Sequence, residues 1–175
     1  MINFRGKIGK LLLIFHNFCC KIKTEEDFFY YPAKERKIIM VRIIIGLKGS
    51  GKTKHLIELA NKAVETSPGN VVCIEKGNKL MFDVRHQVRL VDTDVFGVSG
   101  ADQLFGMVCG IISANYDIKD IFIDSSLKIC KDNKEEFVKL IEELDKITTA
   151  REINLITTAS IDAADFPVAL NKYIL

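Results

Sequence analysis

Met40-Val41-Arg42-Ile43-Ile44-Ile45-Gly46-Leu47-Lys48-Gly49-Ser50-Gly51-Lys52-Thr53 is the stretch from which the fold can be read. Met40 to Ile45 is an apolar, β-branched run, which predicts a buried strand. Lys54 to Thr66 places apolar residues at helical spacing and predicts an amphipathic helix. Between the two lies the pattern G-x-x-x-x-G-K-T. A strand, a glycine-rich loop and a helix form the setting in which that pattern has a mechanism. From average residue usage, a chance match in a chain of this length is roughly one in a few hundred, and the flanking elements lower the odds further.

The loop has the chemistry to hold a triphosphate, a dense anion. Successive backbone N–H groups and the positive end of the following helix make a cradle for it. Gly46, Gly49 and Gly51 let the chain turn and approach phosphate closely. Lys52 is expected to place its ammonium between the β- and γ-phosphates, and the Thr53 hydroxyl to bind Mg²⁺. Ser50 lies within the same loop. Lys48, within the loop, and Lys54, just after it, either add positive field at its mouth or stand as solvated surface lysines. The expected ligands are ATP and Mg²⁺.

Beyond the loop, strand-like and helical segments alternate. Ser67-Pro68-Gly69-Asn70 is a turn, and Val71 to Ile74 reads as a short buried strand. The stretch from Glu75 to Asp94 reads as a hairpin or as a loop with one strand near Val88 to Val91. Ser99-Gly100-Ala101-Asp102 resembles a capping box opening a helix with Leu104, Phe105, Val108, Ile111 and Ile112 on one face. Gly106 and Gly110, four apart, suggest close packing of that helix on a sheet. Asp120 to Asp124 is a further strand. Asp132 with Glu135 is expected to cap a helix whose core stripe is Phe137, Leu140, Ile141, Leu144 and Ile147. Ile153 to Thr157 is another strand, and Lys172 to Leu175 reads as a last one. The alternation predicts an α/β fold with a mostly parallel central sheet. Ligands of such sheets bind beyond the carboxyl ends of the strands, where the glycine-rich loop, Glu75, Asp124 and Thr157 are all expected.

From about residue 40 to 160 the chain resembles the P-loop NTPase superfamily, with a Walker A motif at 46–53 and a Walker B-like strand ending in Asp124. The resemblance implies a three-layer fold, with Asp124 holding Mg²⁺ through water opposite Thr53. A hydrolytic glutamate often follows the Walker B aspartate directly, and here Ser125 stands there instead. RecA-like, secretion and pilus-retraction ATPases carry a glutamate at the end of the strand after the P-loop helix. Val71-Val72-Cys73-Ile74-Glu75 is similar, which makes Glu75 the candidate to orient and deprotonate the attacking water, against a solvated residue beside Lys76. Thr157 and Thr158 end a strand where this group often has a polar residue sensing the γ-phosphate, and Thr157 is the candidate sensor. The chain also resembles small stand-alone bacterial ATP-binding proteins labelled as pilus-retraction ATPases, but lacks the His-rich boxes and N-terminal domain of a pilus motor. These likenesses imply slow ATP hydrolysis, with Lys52 and Glu75 as the catalytic pair. One alternative is a nucleoside or small-molecule kinase using the same loop. The thymidine-kinase pattern of a glutamate after the Walker B aspartate and a cysteine-rich zinc lasso is not seen. The other alternative is a non-catalytic nucleotide-dependent switch or adaptor.

Charge divides the chain. Residues 1–39 hold 8 Lys/Arg and 4 Asp/Glu, whereas the remainder hold 17 and 19. The domain expected over 40–175 is thus slightly acidic, with no broad electrostatic footprint for nucleic acid. The front segment contains an apolar run, Leu11 to Cys20, broken by His16 and Asn17. It lacks a small-residue cleavage site and is too short to cross a bilayer. Residues 1–39 read as an N-terminal extension or, with Met40 as the true start, as residues absent from the native protein. Five cysteines without zinc-site spacing fit a reduced, cytoplasmic protein. Asp92-Thr93-Asp94 reads as solvated rather than cation-binding, and His16, His55 and His86 take no role.

Overall fold

The computed structural model describes residues 39–175. The expectations for the front segment lie outside the described residues. The elements run β1 (Val41–Gly46), α1 (Lys52–Thr66), β2 (Asn70–Glu75), β3 (Arg89–Asp92), α2 (Ala101–Ala114), β4 (Ile118–Ile123), α3 (Ser126–Ile129), α4 (Lys134–Arg151) and β5 (Asn154–Ser160). Two 3₁₀ segments follow, Ala163–Asp165 and Val168–Tyr173.

The five strands form one sheet in the order β1-β5-β4-β2-β3, and every pair in it is parallel. The pleat sorts side chains with a period of two. Val41, Ile43, Val72, Ile74, Ile121, Ile123 and Leu155 enter one core with Leu104 and Val108 of α2 and Phe137, Leu140 and Ile141 of α4. Their neighbours Ile44, Val71, Cys73, Phe122 and Ile156 pack in a second core with Leu56, Ala60 and Ala63 of α1. Helices therefore cover both faces, and the strands read as continuous apolar runs because neither face is wet.

Several boundaries differ from the sequence reading. Ser99 does not cap α2. Gly100 holds that position, and the Ser99 N–H donates to Gln103 Oε1 at 2.7 Å. A Cβ on Gly106 or Gly110 would meet nothing within 4 Å, so these glycines serve no close approach to the sheet. The cap of α4 is Asn133 rather than Asp132. Its Oδ1 accepts from the Glu135 and Glu136 N–H groups at 3.1 and 3.2 Å, while Asp132 lies one residue earlier at φ 57°. The α4 stripe is as read, with Phe137, Leu140, Ile141 and Leu144 buried and Ile147 packed against them.

The strand expected over Lys172–Leu175 is instead the end of a 3₁₀ segment. Leu170 and Tyr173 are its buried residues, and their spacing of three is the 3₁₀ repeat. The Tyr173 hydroxyl donates to buried Asp145 Oδ2 at 2.9 Å. What survives of sheet pairing is one parallel bridge, Ile43 to Ile174, with the Leu175 N–H donating to Ile43 O at 3.0 Å.

Cys73 and Cys130 are buried free thiols, and Cys109 is half-buried. Burial, then the Glu75 and Asp124 carboxylates, pushes the Cys73 thiol up to about 12. Burial and then Glu136 do the same for Cys130, also to about 12. Among the described residues, no helix is long and apolar enough to cross a membrane.

Two stability measurements follow from this packing. Asn133→Ala should lower the unfolding free energy by about 1 kcal/mol, because two helix N–H groups lose their acceptor; an unchanged denaturant midpoint would contradict the cap. The thiols ionise near pH 9.0 when unfolded and near 12 when folded. Their stabilisation is therefore complete below pH 9 and lost as pH rises toward 12, at ~1.4 kcal/mol per pH unit for each group. A Cys73→Ala, Cys130→Ala protein should show a shallower alkaline decline in melting temperature than the unsubstituted chain.

Candidate functional site

Every parallel strand delivers its carboxyl end to the same edge of the sheet, and the loop after β1 lies at that edge. The loop turns through a Ser50 N–H to Leu47 O bond of 3.2 Å. Gly49 and Gly51 sit at φ 87° and 86°, in the left-handed region that side chains disfavour. Gly46, at φ 150°, is also in a conformation that side chains rarely adopt, and a Cβ there would in addition lie 2.7 Å from Ser50 Oγ. Lys52 opens α1 and is only 8% exposed. Its ammonium donates to Gly46 O at 2.8 Å, Leu47 O at 2.7 Å and Ser50 Oγ at 3.3 Å. Burial lowers the Lys52 pKa, and the Asp124 carboxylate opposes that shift.

Asp124 follows the last residue of β4 and is buried. Its Oδ1 accepts from Thr53 Oγ1 at 3.0 Å and from Thr158 Oγ1 at 2.9 Å. Its Oδ2 accepts from Ser125 Oγ at 2.9 Å. A buried carboxylate needs such donors to offset its lost hydration. Ser125 itself stands at φ 57°, a conformation that a non-glycine residue holds only when its surroundings enforce it. Its N–H donates to Thr158 Oγ1 at 2.7 Å. One carboxylate thus ties the start of α1, the end of β4 and β5 together.

Thr157 is not part of that junction. It is fully buried, with its hydroxyl 2.9 Å from Ile123 O and 2.7 Å from Ser126 Oγ. The pleat turns it toward the face covered by α2 and α4, and turns Thr158 toward Asp124. Strand β5 also runs on to Ser160, which pairs with Gly46, so Thr157 does not end it. Period-two parity with Ile156 would have favoured Thr158, but the register against Asp124 is not written in the sequence. Ser125 and Ser126 carried no signal beyond following Asp124.

Glu75 ends β2 on the same face as Cys73 and is 1% exposed, so it is not the solvated residue of the alternative reading. Its Oε2 accepts from the Lys79 and Leu80 N–H groups at 2.8 and 3.0 Å. Its Oε1 is buried and has no hydrogen-bond partner among the described residues. Asp92 is likewise engaged rather than simply solvated, its Oδ1 accepting from the Gly77 and Asp94 N–H groups, each at 2.9 Å.

An open cleft of about 540 Å³ lies over the junction, within the size range of small-molecule sites. Its lining includes Lys48, Gly49, Gly51, Lys52 and Thr53 from the loop, and Ser125, Thr158 and Ser160 from the strand ends. Lys79, Lys128 and Asp132 complete it. Gly46, Ser50, Lys54 and Glu75 are outside the lining, and Lys54 is exposed on α1. Asp120, the other acid of its strand segment, faces a smaller cavity of about 250 Å³ with Met40, Arg42 and Asn154 at the amino edge. Among the described residues, no three His, Cys, Asp or Glu side chains cluster as a metal cage.

No protein-family model matches the chain, and no curated protein is significantly similar to it.

The link between Asp124 and Lys52 can be measured. Asp124→Asn removes the one charge that favours the Lys52 ammonium, so the Lys52 pKa, followed by NMR of labelled lysine, should fall further below the ordinary lysine value. A pKa that stays in place or rises would mean that the two groups do not interact.

Proposed function

We propose that the chain is a P-loop NTPase-like protein that binds Mg·ATP in this cleft and hydrolyses it slowly. The observation that carries the proposal is the Thr53 to Asp124 contact of 3.0 Å beside buried Lys52, between residues 71 apart in sequence. Two motif fragments read separately from the chain meet at one hydrogen bond, at the carboxyl edge where α/β sheets hold ligands.

In this assignment the loop amides and Lys52 bind the phosphates. Lys52 exchanges its carbonyl and hydroxyl acceptors in the loop for phosphate oxygens. A hydroxyl and a carboxylate are hard oxygen donors suited to Mg²⁺, which is commonly held by one or two carboxylates together with substrate phosphates and water. Thr53 would ligate the ion directly and Asp124 through water. A hydroxyl has one proton and two lone pairs, so Thr53 can keep its bond to Asp124 while serving as a ligand. The ion would supply charge neutralisation on the phosphates. Ser125 and Thr158 hold the Asp124 carboxylate in one orientation.

Glu75 is the candidate base, supported by its position on the α1-side face and by the unpartnered Oε1. Because Oε2 is committed to two backbone amides, only Oε1 is free to accept from water. Glu75 is 1% exposed and lies outside the cleft lining, which keeps a nucleotide-dependent switch as the second reading.

Calorimetry and a turnover assay separate these readings. Lys52→Ala should abolish or severely weaken Mg·ATP binding with the fold intact, and equal affinity in the two proteins would refute the proposal. Glu75→Gln should leave ATP affinity nearly unchanged and reduce turnover on the order of a hundredfold, the scale of a lost general base. Tight ATP binding without turnover in the unsubstituted protein, with and without a nucleoside acceptor, would favour the switch over hydrolase and kinase.

A further inference from the structure

The cleft contains more positive charge than the glycine-rich loop provides. Lys48 and Lys52 belong to that loop, but Lys79 follows β2 and Lys128 lies in α3 after β4, and all four line one cleft. Neither Lys79 nor Lys128 forms an ion pair among the described residues. Asp132 is the one carboxylate in the lining. Four lysines against one aspartate leave the lining net positive, and a polyanion is the ligand that offsets their mutual repulsion.

The backbone that presents Lys79 is fastened on every side. The Lys79 and Leu80 N–H groups donate to Glu75 Oε2, and Leu80 is buried in the α1-side core at 2% exposure. Gly77, at φ 75°, donates its N–H to Asp92 Oδ1. Lys76 pairs with Asp94 at 3.0 Å. A turn tied at these points loses little further freedom when a ligand arrives, and such preorganisation favours binding.

We propose that Lys79 and Lys128 form a second cationic jaw that reads the terminal phosphate of a nucleoside triphosphate, and that Glu75 is the positioning residue that holds the Lys79 turn. This inference rests on the nucleotide-binding function proposed above and adds to it how tri- and diphosphate are told apart. The loop amides grip the phosphates common to both nucleotides, and Lys52 reaches from them toward the γ-phosphate. The remaining negative charge of the triphosphate falls to the two lysines that the loop does not contain.

Calorimetric titration with Mg·ATP and Mg·ADP tests the jaw on the full chain. The unsubstituted protein should prefer ATP. Lys79→Ala and Lys128→Ala should each weaken ATP binding by about tenfold or more, the scale of one charge-assisted hydrogen bond, and leave ADP binding nearly unchanged. Lys79→Arg should keep the preference. Glu75→Gln retains a carbonyl acceptor for the Lys79 and Leu80 amides and should also keep it, whereas Glu75→Ala should lose it as Lys79→Ala does. If Glu75→Ala does not fold, Lys79→Ala and Glu75→Gln decide the matter, and loss of the preference in Glu75→Gln overturns the positioning role. An unchanged ATP-to-ADP ratio in both lysine variants, with Lys52→Ala unable to bind either nucleotide, overturns the jaw and leaves the nucleotide site standing. Failure of the unsubstituted protein to bind either nucleotide overturns both.

Discussion

A parallel strand cannot return directly to its neighbour; the chain must cross back over the sheet before the next strand begins. Much of the rest follows from that constraint. Each crossover covers a face, so the central strands are packed from both sides. Each strand also finishes at the same edge, so residues far apart in sequence are delivered to one place. Thr53, Glu75, Asp124 and Thr158 share that edge because four parallel strands end there. The buried Asp124 carboxylate then consolidates the edge. It requires several donors, and it finds them on three different segments of chain.

The sequence makes the layout legible wherever spacing alone carries the information. The β1–loop–α1 unit, the apolar stripes of α2 and α4, and the alternation of elements could all be read, since each depends on residues close in the chain. What could not be read depends on contacts between distant residues. Thr157 and Thr158 are adjacent and chemically identical, and only the register of β5 against β4 separates a hydroxyl on Asp124 from one sealed in the opposite layer. Lys79 and Lys128 look like ordinary surface lysines until the fold brings the segments that bear them to the lining of one cleft. Helix caps were displaced by single positions, since Asn133 rather than Asp132 accepts from the Glu135 and Glu136 amides. The segment after Pro167 has strand-like composition, but burial of Leu170 and Tyr173 three apart selects the tighter helix.

Glu75 shows how one side chain can bear two demands. A carboxylate at the end of a central strand could face outward to water, but here it turns inward and organises the turn that follows. One oxygen is consumed by backbone amides that would otherwise be unsatisfied. The second oxygen has no partner among the described residues, an arrangement that buried polar groups rarely show. Under the proposed function, structural anchoring would fall to one oxygen of the group and contact with water to the other.

The bridge between Ile43 and Ile174 has a consequence for how copies of this chain meet one another. Strand β1 lies at one border of the sheet, where unpaired backbone groups would offer a template to any other extended chain. The segment ending in Ile174 and Leu175 lies along that border and occupies Ile43 O, while Tyr173 pins it to Asp145. The opposite border, β3, is only four residues long and offers little length for pairing. Protection against self-association is thus divided unequally, with a docked flap on one side and brevity on the other. Loosening the flap would expose the longer and more adhesive of the two borders.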